Sequence, residues 1–170
     1  MELKEAKEQF IMSWGALGSN WGVSKTMAQV HALLMVSNDP LSADEVMEQL
    51  NISRGNANMN LRALIDWGLV EKIHKLGERR EFFQAEKDMW KIATRIASER
   101  RKRELQPILK VIDQMKDIED KQADKAELEA FKKQMTELEN FTGRVDRIFD
   151  RLDRADERWF TGLLTKIMKR

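Results

Sequence analysis

Two serines, Ser42 and Ser53, each standing just ahead of an apolar-periodic run, constrain this chain more than any other feature. Ser42-Ala43-Asp44-Glu45 fits a capping box, in which the serine hydroxyl and the glutamate each satisfy an orphan N–H of a helix start. It opens a short helix over 43–50 that buries Val46, Met47 and Leu50. Asn51-Ile52 makes a turn, and Ser53 caps the next helix, where Ala57, Leu61, Leu64 and Ile65 share one face and Gly68 suits the position after the last turn. Residues 69–75 alternate apolar and polar like a half-buried strand, 76–80 form a loop, and 81–85 return as a second strand.

The flanks fit around this unit. Leu3, Ala6, Phe10, Trp14 and Leu17 predict a first helix over 3–17, with Gly15, Gly18, Ser19, Asn20 and Gly22 read as its break. Ser24 caps a second helix over 25–37, and Pro40 ends it by pushing Asp39 away from helical geometry. Helix, short helix, turn, helix and β-hairpin is the order of a winged helix-turn-helix, whose third helix enters the major groove. From 88 onward the pattern is helical. One apolar stripe runs through Met89, Ile92, Ile96, Leu105, Ile108, Leu109, Ile112, Met115 and Ile118, with Pro107 expected to kink it. After a break at 120–124, a second stripe over Leu128–Leu152 approaches the spacing of a coiled-coil seam, and a terminal helix is expected over 156–168. A long helix cannot bury such a stripe on itself, so a homodimer follows. The fold class is therefore mainly α. A winged helix-turn-helix domain over 1–87 carries a small two- or three-stranded β-wing, and long C-terminal dimerisation helices occupy 88–170.

Composition closes off other classes. The 170 residues include no cysteine, which removes disulfide frameworks, thiolate nucleophiles and cysteine-ligated metals. The two histidines, His31 and His74, are not spaced as ligands, and no nucleophile or phosphate-loop motif occurs, so neither an enzyme nor a cofactor is expected. No apolar run approaches membrane-spanning length and the N-terminus lacks a basic-then-apolar leader, so a cytoplasmic protein with no membrane partner is expected. The net charge of +1 hides blocks: residues 52–80 hold six basic and three acidic side chains, whereas 111–157 hold nine and fourteen. A local anion-binding surface is compatible with that pattern.

The residues for such a surface lie on the third helix and the hairpin. With Ala57 inward, Gly55, Asn56, Met59, Arg62 and Asp66 point outward, and Arg54 and Asn58 flank the first turn. Asn and Arg pair bidentately with adenine and guanine edges. Three asparagines (56, 58 and 60) weaken intrinsic helicity and so call for a reason. Lys75, Arg79 and Arg80 are placed to meet phosphate or the minor groove, while Ser42 and Ser53 sit at helix starts where an N–H can meet phosphate. The run 99–104 reads as a solvated face or a partner for the acidic block. Five tryptophans, Trp14, Trp21, Trp67, Trp90 and Trp159, pack a core or form a cage for a quaternary ammonium ion.

The chain resembles the GbsR-type branch of the MarR superfamily from Phe10 to about Pro107. The resemblance is carried by Phe10-Ile11-Met12-Ser13-Trp14-Gly15, Asp39-Pro40-Leu41-Ser42, the run Ile52-Ser53-Arg54-Gly55-Asn56-Ala57-Asn58-Met59-Asn60-Leu61-Arg62, Trp67-Gly68-Leu69-Val70, residues 77–86 and Trp90-Lys91. It implies a homodimeric regulator, a repressor, that binds double-stranded DNA at a pseudo-palindromic operator of osmoprotectant or transport genes. A choline-like effector is implied with it. Arg54, Asn56, Asn58, Met59 and Arg62 match its recognition helix, and Arg79 and Arg80 its wing. Phe82-Phe83 departs from the tyrosine pair common in that branch. That apolar pair keeps open a second reading, a winged-helix adaptor that holds protein instead of DNA.

Overall fold

The computed structural model describes residues 1–20 and 22–154, with side chains through 151. Trp21, Trp159, the Leu152 side chain and the helix expected over 156–168 lie outside the described residues. The chain divides into two compact units, Met1–Ile92 and a second beginning at Ala93.

In the first unit α1 (Leu3–Asn20) outruns its expected end. Gly15 and Gly18 do not break it. Both are buried inside it, and a Cβ at Gly18 would stand 2.5 Å from the Ala28 Cβ on α2 (Lys25–Val36). These glycines let two helices approach closely. The break comes at Gly22, at φ 76°, where Gly22 N–H donates to Ser19 O and Val23 N–H to Gly18 O, closing α1 in a Schellman turn. Ser24 Oγ accepts from Met27 N–H as expected.

Helix α2 is the hub. Met27, Ala28, Val30, His31, Ala32, Leu33 and Leu34 are all buried, and α1, α3 (Ala43–Leu50), α4 (Arg54–Asp66) and the sheet pack on it. Both halves of the Ser42–Glu45 capping box form, and Asn51 at φ 50° closes α3 tightly against the start of α4. Gly68, at φ 69°, closes α4, with Leu69 N–H donating to Leu64 O. The sheet has three strands in the order β1-β3-β2, all antiparallel: β1 (Leu41–Ser42), β2 (Val70–Ile73) and β3 (Phe82–Ala85). The hairpin strands are shorter than their alternating patterns, because pairing stops at Ile73–Phe82.

His31 is 2% exposed and its Nε2 has no hydrogen-bond partner among the described residues. Trp14 lies beside it, ring centroids 6.2 Å apart. Burial lowers its pKa from 6.5 to about 4. A folded-state pKa below the unfolded value makes the neutral form the stabilising one. The contribution is complete above pH 6.5 and is lost as the pH falls toward 4. His31→Leu is expected to flatten this part of the stability–pH curve by about 3 kcal/mol. Urea unfolding of both proteins at pH 7 and 4.5 checks it, and parallel curves would place the pH dependence elsewhere.

The second unit contains the end of α5 (Met89–Arg100), a π-helical turn (Arg101–Leu105), α6 (Gln106–Met115) and α7 (Lys125–Arg154). The expected kink at Pro107 takes the form of that π turn. Proline has no N–H for the Arg103 carbonyl, so the preceding turn widens and Gln106 N–H reaches back to Arg101 O. The 99–104 run is paired within this unit. Arg101 makes a bidentate contact with Asp146 at 2.6 and 2.9 Å, and Arg100 meets Glu104. On α6 and just after it, Ile108, Val111, Met115 and Ile118 are 40–46% exposed at helical spacing. Phe131, Phe141 and Ile148 are exposed on α7. No helix among the described residues is long and apolar enough to cross a membrane.

Candidate nucleic-acid interface

Helix α4 presents two faces because its inward positions are filled. Ala57, Leu61 and Leu64 are at most 1% exposed. Opposite them Gly55, Asn58, Met59, Arg62 and Asp66 are exposed, Met59 by 62%. A Cβ at Gly55 would meet nothing within 4 Å, so nothing among the described residues explains the glycine by crowding. Asn56 is half-buried and held. Asn60 Nδ2 donates to its carbonyl at 2.8 Å and to its Oδ1 at 2.6 Å.

The buried partner, Asn60, was not among the sequence candidates. Its signal was its place between Ala57 and Leu61, at the margin of the inward face. It supplies a reason for part of the asparagine run: one asparagine orients another. Asn60→Ala is expected to cost about 1–2 kcal/mol, because it removes a buried donor and frees Asn56. An unmoved urea midpoint would show that the pair contributes nothing.

The two serines act as caps. Ser53 Oγ accepts from Asn56 N–H. Ser42 is 2% exposed, and both its N–H and its hydroxyl donate to Glu45 Oε2, at 2.7 and 2.6 Å. That N–H is therefore spent on Glu45 instead of facing solvent. Arg54, at the start of α4, contacts Asp44 on α3 at 2.7 Å.

In the wing, Lys75 Nζ sits 4.0 Å from the centroid of the Phe82 ring, and the Arg80 guanidinium carbon sits 5.5 Å from it. Phe82 and Phe83 are each 4% exposed, so the apolar pair offers no surface for a protein partner. The ring instead gathers two cations from opposite ends of the hairpin loop. Arg79 is exposed nearby. Lys72, which the sequence reading passed over, meets Glu81 at 2.7 Å, and Arg80 meets Glu78 at 3.4 Å.

The electrostatics tie these pieces together. Hydrogen bonds from the Ser42 hydroxyl and N–H hold the Glu45 carboxyl below its ordinary pKa, and the charges of Arg80 and Lys75 add to the effect. The Lys72 hydrogen bond lowers Glu81, with smaller contributions from the charges of Lys72, His74 and Arg62. Arg62 of α4 and the base of the wing thus share one field. Of the tryptophans, Trp14 packs on Phe10 at 5.5 Å, Trp67 is buried just past the end of α4, and Trp90 is half-buried on α5.

A model of the MarR family matches residues 21–81, the stretch that holds α2, the two capped helices and most of the wing. A crystal structure described as that of a transcriptional regulator superposes with a TM-score of 0.57, covering 86% of this chain and 99% of that one, at 19% identity. The chain has the MarR-superfamily winged helix-turn-helix fold. Proteins of the MarR family are characteristically transcription factors and not enzymes. Two curated relatives, both from Bacillus subtilis (strain 168), align with this chain. One is named "HTH-type transcriptional repressor GbsR" and is 25% identical over 66% of this chain. The other, "Putative HTH-type transcriptional regulator YvaV", is 20% identical over 52% of it. The chain spans 62% of the length of the first and 50% of the second.

Proposed function

We propose that the chain is a DNA-binding transcriptional regulator that acts as a homodimer on a pseudo-palindromic operator. The observation that carries this reading is the outward face of α4. A capped helix, buried cleanly on one side, leaves Asn58, Met59 and Arg62 unburied beside a wing whose Lys75 and Arg80 are gathered on one ring. Arg62 and Asn58 read base edges, Asn56 is held beside them by Asn60, and Arg54, Lys75, Arg79 and Arg80 meet phosphates. Half-sites lie about one helical turn apart, or a multiple of it. The exposed apolar residues of α6 and α7 supply the face for a second copy. Repression is carried over from the name of the GbsR relative.

A gel shift with the gene's own upstream region, set beside genomic fragments at two salt concentrations, tests the reading. A retarded band that weakens as salt rises is expected. No salt-dependent shift with any fragment would sink it. Control of osmoprotectant genes with a choline-like effector belongs to the same reading, and thermal shift against choline, glycine betaine and unrelated cations tests that part. Equal responses would remove it.

A further inference from the structure

We propose that Asp44, Glu78 and Glu81 limit the sequence-independent DNA affinity of this protein by pairing with cations of α4 and the wing, Lys72 of the wing among them. The inference rests on the DNA-binding reading and extends it. Residues 52–80 carry six basic side chains. Three of them are engaged by carboxylates: Arg54 by Asp44 at 2.7 Å, Lys72 by Glu81 at 2.7 Å, and Arg80 by Glu78 at 3.4 Å. All six side chains of these pairs are 42–69% exposed. Pairs that open to water contribute little to folding, so stability does not account for these three. Asp44 also favours the start of α3 through the helix dipole, but that does not require it to reach Arg54 on the next helix.

Their position does have a consequence for DNA. Non-specific binding is almost entirely phosphate electrostatics, and each phosphate neutralised releases counterion. A phosphate that approaches Arg54, Lys72 or Arg80 must displace a carboxylate or bind beside it, and either way the carboxylate remains as a like charge. Base reading depends less on this term, and Arg62 has no ion pair with a carboxylate among the described residues. The carboxylates therefore act chiefly on the component of binding that carries no sequence information, and penalising the unwanted partner is one of the two ways to gain specificity.

The test compares the full-length wild type with D44N/E78Q/E81Q on a fluorescein-labelled random-sequence duplex, by anisotropy between about 50 and 200 mM salt. Thermal melts first establish that the variant is folded. If it is not, the three single variants replace it. The triple variant is expected to bind at least ~10-fold tighter at the low-salt end, with a salt slope steeper by about two to three per subunit, and each single variant by about one. Unchanged affinity and slope in a folded variant overturn the inference. If the wild type still shifts its upstream fragments, the regulator reading stands without it. If neither protein binds either kind of DNA, both fall.

Discussion

Gly18→Ala is expected to destabilise the first unit, although alanine is the better helix former. Within a helix, replacing glycine by alanine ordinarily gains up to about 1 kcal/mol. Here the new Cβ would stand 2.5 Å from the Ala28 Cβ. Neither atom can rotate away, because each is fixed to its own helix backbone. The helices must part, and α2 also carries the packing of α3, α4 and the sheet. Overpacking of this kind costs about 1–3 kcal/mol net, or roughly 5–15 °C in melting temperature for a unit of this size. Gly15→Ala is the control. Its Cβ would meet Gln29 Cγ at 2.6 Å, and that is a flexible side chain that can swing aside. Its melting point should stay close to the wild type's. A Gly18→Ala protein that melts at or above the wild-type temperature would contradict the close α1–α2 approach.

Arg62→Ala is expected to weaken binding to the best upstream fragment by about tenfold to a hundredfold, the cost of one bidentate base contact. The side chain is exposed, so folding should be little affected. Binding to random-sequence DNA should fall much less. Arg62→Lys keeps the charge but not the planar fork, and it should lose most of the same discrimination. An equal loss on both DNAs would make Arg62 a phosphate contact, and no loss on either would remove it from the interface.

The parts of this fold legible in the sequence are those set by neighbours in the chain. Ser42 with Glu45, Ser53 ahead of α4, and Gly68 after it are local chemistry, and each sits where its spacing placed it. Gly15 and Gly18 carry the same local signature as a helix break, yet they are packing residues, because what they serve is Ala28 and Gln29 on another helix. Strand β1 is two residues long, too short to show alternation, and Ser42 in it doubles as a helix cap. The site divides in the same way. The outward set on α4 follows from helical periodicity except at Asn56, expected to point outward but half-buried against Asn60. Asn60 holding Asn56, Phe82 gathering Lys75 and Arg80, and the three carboxylates opposite Arg54, Lys72 and Arg80 depend on tertiary contacts that spacing does not encode.

Whether the face of α4 and the wing together hold DNA is decided by the salt dependence of binding in the wild type and in K75Q/R79Q. The logarithm of affinity for a duplex from the upstream region is expected to fall linearly with the logarithm of salt. In the wing variant the slope should shrink by about two per subunit, with Arg62-dependent discrimination between sequences retained. A slope that the wing substitutions leave untouched, or binding insensitive to salt, would contradict it.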